Sequence, residues 1–356
     1  MVERLELNCL IKVNNSRKYM FYLFFLLIVL FLLYIQSRKR QYSTVAGICV
    51  PIIIIFVVIC RYRVGYDYLT YYTLIENEEE AQILYLFSPL SIVWAEIALY
   101  FESPQMLFVL FGLPTFALLI FTLKKYSKDY ALSVTILICF FFFTSLSIIR
   151  QALALAICFY GYRFIVKRSL IKYILCILIA ALFHPSAGVA IIIYWLPFLK
   201  FRLVVLLSII SIVAKPLFFY MLNILGVYTS YLDGKMDIEG GKYTQLIYFL
   251  LFIICFVLGS KNIDKNKCNL FNVLLLSFVF VSFLGAHLGG RIAFYFNIYY
   301  CLLIPKVVKG LDGQLREQVK LLSYFLCISY FLLYLFVPFI KGVPSYYIPY
   351  KFIFFK

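Results

Sequence analysis

The chain has 356 residues, 65% of them hydrophobic and 14% charged, with a formal net charge of +17 and a mean hydropathy of +0.97. A soluble chain carries about a quarter of its residues as charges, so this composition excludes a water-soluble domain and indicates an all-α polytopic integral membrane protein. The surplus Lys and Arg lie mostly in short loops between apolar runs, where they act as orientation signals, and imply no nucleic-acid partner.

Residues 1–19 are a polar, unpatterned amino-terminal tail, and Ile35 to Arg40 offers no small-residue cleavage site, so no cleavable signal peptide is expected. Apolar runs then recur at 20–36, 43–60, 104–123, 130–149, 151–166, 203–222, 244–259, 270–289, 291–306 and 321–340. Each approaches the ~17–20 residues of one helical crossing, which predicts about ten transmembrane helices in a single domain spanning 20–340. Basic clusters mark one side: Arg38-Lys39-Arg40, Lys124-Lys125 with Lys128, Lys167-Arg168 with Lys172, Lys200 with Arg202, Lys261 to Lys267, and Lys306 to Lys320. By the positive-inside rule that side is cytoplasmic.

Two segments must then behave unusually. Segment 83–101, with Ser88-Pro89 and an inward Glu96, is expected as an amphipathic helix on the outer face. Segment 173–199 has basic residues at both ends and must return to the side it left. It is predicted as a re-entrant hairpin broken at "FHPSAG", because Pro185 disfavours helix at His184. Broken helices at membrane depth are tolerated only when buried in protein or lining a wet cavity. Both termini, loops 61–103 and 224–243, and the tail 341–356 fall outside.

The outer ends of the helices collect Arg61, Arg63, Arg150 and Arg291. Any one of them can snorkel to lipid headgroups. As a group, fixed guanidinium ions at one membrane face suit bidentate recognition of a phosphate or carboxylate. Arg150 stands at a tight turn between two apolar runs, followed by Ala152, Ala154 and Ala156; Arg291 follows Gly289-Gly290. Asp67 either pairs with Arg61 or Arg63, holds a sugar hydroxyl, or serves as a base. His184, at the hairpin break, is either a packing histidine or a proton acceptor, and His287 would share a helix face with Arg291. The run Glu76 to Glu80 lacks metal-site spacing. Most of the ten cysteines lie inside apolar runs without a CxxC pair or a Cys/His cluster, so neither a metal nor a disulfide framework is expected.

At these residues the chain resembles the EpsG family of polysaccharide-synthesis membrane proteins, related to the Wzy-type O-antigen polymerases. The matching stretches are "RYRVGYDYLTYY" (Arg61, Gly65, Asp67, Tyr71), "IIRQALA" (Arg150, Gln151), "ALFHPSA" (His184) and "GGRIAFYF" (Arg291, Tyr295), in the family's order. The resemblance implies a multi-pass glycosyltransferase at the periplasmic face of a bacterial inner membrane, polymerising undecaprenyl diphosphate-linked oligosaccharide. It implies a diphosphate clamp of Arg150 and Arg291 with Arg61 as a third member, and a base at His184 or Asp67. Gly65, Tyr71, Gln151 and Tyr295 would support that site. No cofactor is implied; membrane lipid is a partner, and a chain-length regulator protein is a further one. The competing reading, a lipid-linked oligosaccharide flippase, would show internal repeats of helix pairs, and none is found.

Overall fold

The computed structural model describes residues 2–38, 43–76, 88–217, 220, 240–259, 269–343 and 345–355, leaving out the side chains of 2–18, 38, 240–242, 286–287 and 355. Among them every regular element is helical, and the one extended contact is an isolated bridge between Arg61 and Phe352. In chain order, α1 is Val2–Arg38, α2 Ser43–Ile59, α3 Tyr68–Glu76, α4 Pro89–Tyr100 and α5 Pro104–Tyr126. Then come α6 Tyr130–Ser147, which contains a π turn at Leu137–Phe141, and α7 Ile149–Val166. After α8 Leu170–Phe183 a 3₁₀ arm runs Pro185–Tyr194. The rest are α9 Phe201–Val213, α10 Gly240–Gly259, α11 Leu270–Asn297, α12 Tyr300–Lys309 and α13 Gly313–Ile340.

α6 forms the centre: 89% of its apolar window is buried, against 28% for Tyr19–Ser37 of α1 and 22% for α13. The outer helices turn Phe24, Leu27 and Phe31, and Leu321, Phe325 and Leu333, away from the protein. Such a continuous apolar exterior is stable only against lipid. The chain is thus a multi-pass membrane protein. Among the described residues five helices are long and apolar enough to cross, or six when the bent pair Leu288–Asn297 and Tyr300–Lys309 is taken as one span. The other predicted runs appear, among the described residues, as shorter apolar helices such as Ser43–Ile59 and Phe201–Val213.

The segment predicted as a re-entrant hairpin is broken at His184. α8 and the 3₁₀ arm pack on each other, and the chain between them is extended at His184 (φ −155, ψ 119). Fourteen residues of α-helix reach about 21 Å, short of a ~30 Å hydrocarbon core. The second predicted oddity is described only from Ser88 onward. There α4 buries its small residues Ser91, Ala95 and Ala98, while Glu96, expected inward, is exposed.

The boundary near residue 290 also moves. The backbone leaves helix at Gly285 (φ 80, ψ 173), and the "GGR" stretch lies inside the helix that follows. A Cβ at Gly289 would collide with the Phe280 carbonyl. The glycine serves close packing across the kink.

The terminal segment 345–355 folds back onto the loop after α2. Gly65 N–H donates to Tyr346 O at 2.8 Å, Tyr62 N–H to Lys351 O at 2.8 Å, and Ile353 N–H to Cys60 O at 2.8 Å. Tyr350 adds a hydroxyl bond to Val57 O at 2.7 Å, and Tyr22 one to Tyr347 O at 2.9 Å.

Candidate functional site

Four backbone breaks converge on one place. α6 ends at Ser147, and Ile148 (φ −90, ψ 56) turns the chain into α7, putting Arg150 in that helix's first turn. The break at Gly285 starts the half-helix that carries Arg291. His184 is the extended residue between α8 and the 3₁₀ arm. Asp67 directly precedes α3.

Local sequence explains how Asp67 reaches the arginines. Gly65 has φ +114, a left-handed conformation that glycine adopts without penalty. A Cβ there would lie 2.7 Å from Leu146 O, so the loop rests directly on the end of α6. Tyr66 N–H then donates to Ser147 Oγ at 2.9 Å. The loop is fixed three residues before Arg150.

The arginines, the acid and the histidine act on one another. Arg150 is half-buried and its Nε donates to the Tyr71 hydroxyl at 3.4 Å; Arg291 is exposed. Burial raises the Asp67 carboxyl above its ordinary value, and the fields of Arg291 and Arg150 oppose that rise. His184 is half-buried, and that burial first, then the fields of Arg150 and Arg291, disfavour a positive charge on the ring. Tyr71 completes the group, 7% exposed and subject to Arg150, Asp67 and Arg291.

A polar chain positions the histidine. His184 Nδ1 is 2.7 Å from Ser186 Oγ, which is 3.0 Å from the Tyr295 hydroxyl. Gln151 hydrogen-bonds Tyr295 and donates from Nε2 to Arg291 O at 2.7 Å. Gln151 and Tyr295 are 2% and 1% exposed, so these are scaffold bonds behind the solvent-reachable groups. When Nδ1–H donates to Ser186, Nε2 holds the lone pair, and it has no partner among the described residues.

The structure therefore brings together Asp67, Tyr71, Arg150, Gln151, His184, Arg291 and Tyr295, with Gly65 shaping the loop. It places Arg61 elsewhere, 1% exposed beneath the docked terminal segment and 5.0 Å from the Phe108 ring centroid. Arg63 is exposed at φ 55 beside the Tyr62 ring. The His287 side chain and the segment 224–239 lie outside the described residues. Two participants were missed from sequence. Ser186 had a signal in its His-Pro-Ser spacing, two residues from His184; Ser147 had none, because only the loop's return onto α6 gives it a role. Among the described residues no group of three His, Cys, Asp or Glu could hold a metal ion.

The family model described as the EpsG family matches residues 44–352. No curated protein matches the chain, and no solved structure does. The matched span contains every residue of the cluster.

Proposed function

This chain belongs to the EpsG family, whose members are Wzy-type polymerase-like, and on that premise we propose that it polymerises undecaprenyl diphosphate-linked oligosaccharide repeat units. The product is O-antigen or another surface polysaccharide, made at the periplasmic face of the bacterial inner membrane. The observation that carries this reading is the convergence of two accessible arginines, an acid and a positioned histidine at backbone breaks of a membrane protein.

The donor is a glycan on a lipid diphosphate. Arg150 and Arg291 face its phosphates, since a guanidinium matches phosphate oxygens in a two-pronged geometry. The acceptor is a hydroxyl of the terminal sugar on another lipid-linked unit. Its oxygen attacks the donor's anomeric carbon, its proton passes to Nε2 of His184, and the bond from that carbon to the diphosphate oxygen breaks. The charge then gathered on the leaving diphosphate is stabilised by arginines already in place, as preorganised electrostatics requires. Asp67 lies beside both arginines; it orients them and is the second candidate base. Arg61, sealed from solvent, braces the loop and does not touch the phosphates.

The glycan profile of a deletion strain tests this reading. A polymer ladder that collapses to a single repeat unit supports polymerisation. Loss of all surface repeats, including single units, overturns it in favour of a flippase.

A further inference from the structure

Three of the basic clusters meet on one face. Lys124 and Lys125 close the last turn of α5, Lys128 follows, and all three are exposed. The Tyr126 ring beside them packs edge-on against Tyr162 near the end of α7, with centroids 5.3 Å apart. Beyond α7 stand Lys167, Arg168 and Lys172, also exposed, in a turn that Ser169 N–H closes by donating to Phe164 O at 2.9 Å. The Arg168 guanidinium lies 3.0 Å from the centre of the Phe198 ring. That contact brings in exposed Lys200 and Arg202 at the start of α9. Segment 173–199 therefore starts and finishes beside the same turn.

The charge on this face is not balanced within the described structure. Across 124–129, 163–172 and 200–202 the sequence has a single acid, Asp129. Its carboxylate is taken by Lys320 at 2.6 Å and by Leu132 N–H at 3.1 Å. None of the exposed cations pairs with a carboxylate among the described residues. Orientation in the membrane calls for such charges loop by loop and does not require the loops to meet. Beside the cations runs an apolar stripe: Ile171, Leu175, Leu178 and Leu182 are exposed along one side of α8, as is Phe121 one turn before Lys125 on α5. A soluble acidic partner would use only the charges. A phospholipid uses both, with its acyl chains on the stripe and its phosphate among the cations. The face is also remote from Arg150, which begins α7 while Lys167 follows its end: 18 residues of helix, about 27 Å, lie between.

We propose that this face binds an anionic phospholipid of the leaflet it borders, with the headgroup among the three clusters. The phosphate offers acceptors and negative charge to cations that no described carboxylate neutralises. Bound there, the lipid ties Lys200 and Arg202 to Lys167 and Lys172, and so fixes both ends of the segment whose break carries His184. This lipid site stands whatever reaction the distant arginine cluster performs.

The full chain, purified in a non-ionic detergent, is titrated with phosphatidylglycerol or with phosphatidylcholine. Bound lipid is counted by native mass spectrometry, and melting is followed in parallel. Phosphatidylglycerol should stay bound and raise the melting temperature saturably by roughly 3–6 °C, while phosphatidylcholine should do neither. Lys167→Gln/Lys200→Gln takes one exposed charge from each side of the segment and should weaken phosphatidylglycerol binding roughly 30-fold. Lys341→Gln/Lys351→Gln removes the same charge elsewhere and should bind as the wild type does. Equal binding of the two lipids overturns the proposal, and so does equal weakening in the two double variants. Stabilisation by inorganic phosphate or by poly-glutamate that matches phosphatidylglycerol overturns it as well, assigning the face to a soluble anion or to an acidic protein.

Discussion

The loop around Arg61 and the cluster around Arg150 and Arg291 are built from the same kinds of residue and end in opposite states. Over Arg61 the segment 345–355 closes with main-chain bonds, the tyrosines turn their rings inward, and 1% of the side chain remains exposed. Around Arg291 the helices break and leave the guanidinium exposed, beside a half-buried Arg150. Among the described residues the sealed site has no acid beside its charge, whereas the open one has Asp67 and a positioned His184. Access and partners separate a charge that braces a fold from charges able to meet a substrate.

Substitutions on the open side should cost activity far more than stability. His184→Ala removes the proposed base and should lower polymerisation by ~10²–10⁴-fold. His184→Asn should fail equally, since an amide takes up no proton at neutral pH. Robust turnover by the Asn variant in detergent, with purified lipid-linked repeat units, would move the base to Asp67. Arg150→Lys and Arg291→Lys keep the charge but lose the planar fork. Each should lower the rate by roughly 10²-fold with unchanged protein level; normal polymer in both would reduce these arginines to lipid anchors.

Substitutions on the sealed side should show the reverse pattern. Gly65→Ala, in the loop that the two regions share, puts a Cβ against Leu146 O in a left-handed backbone; it should destabilise by about 1–3 kcal/mol, read as a lowered melting temperature, and lower turnover as well by shifting Asp67. Tyr347→Phe breaks the 2.8 Å bond to Ser147 and the 3.4 Å bond to Tyr334, and should cost about 1 kcal/mol with catalysis largely kept. A large loss of turnover in Tyr347→Phe, at unchanged melting temperature, would join the two regions into one site.

Much of the open site is legible from sequence because each of its breaks has a local chemical sign. Proline after His184 ends a helix, and an arginine between Ile149 and Gln151 with no loop around it marks a turn. The glycine pair before Arg291 signals a kink, but the kink falls at Gly285, because Gly289 is needed for contact with Phe280 and not for a turn. The sealing of Arg61 is not local. It depends on pairing residues 60–65 with residues almost three hundred positions later, and no periodicity reports such a contact. The tail "SYYIPYKFIFF" carries a sign all the same, in aromatic content too high for a solvated end. Runs such as 43–60 and 203–222 satisfy hydropathy, and among the described residues the helices they form, Ser43–Ile59 and Phe201–Val213, are shorter than the runs, a boundary that hydropathy alone does not report.

The contrast between the two regions is most directly tested by turnover of purified lipid-linked repeat units, measured for Arg291→Lys and Arg61→Met below the melting temperature of both. Arg291→Lys should lose roughly two orders of magnitude, while Arg61→Met should keep most of the wild-type rate. Equal loss in both variants would place Arg61 among the residues that act on the substrate and contradict the division drawn between the sealed and the open site.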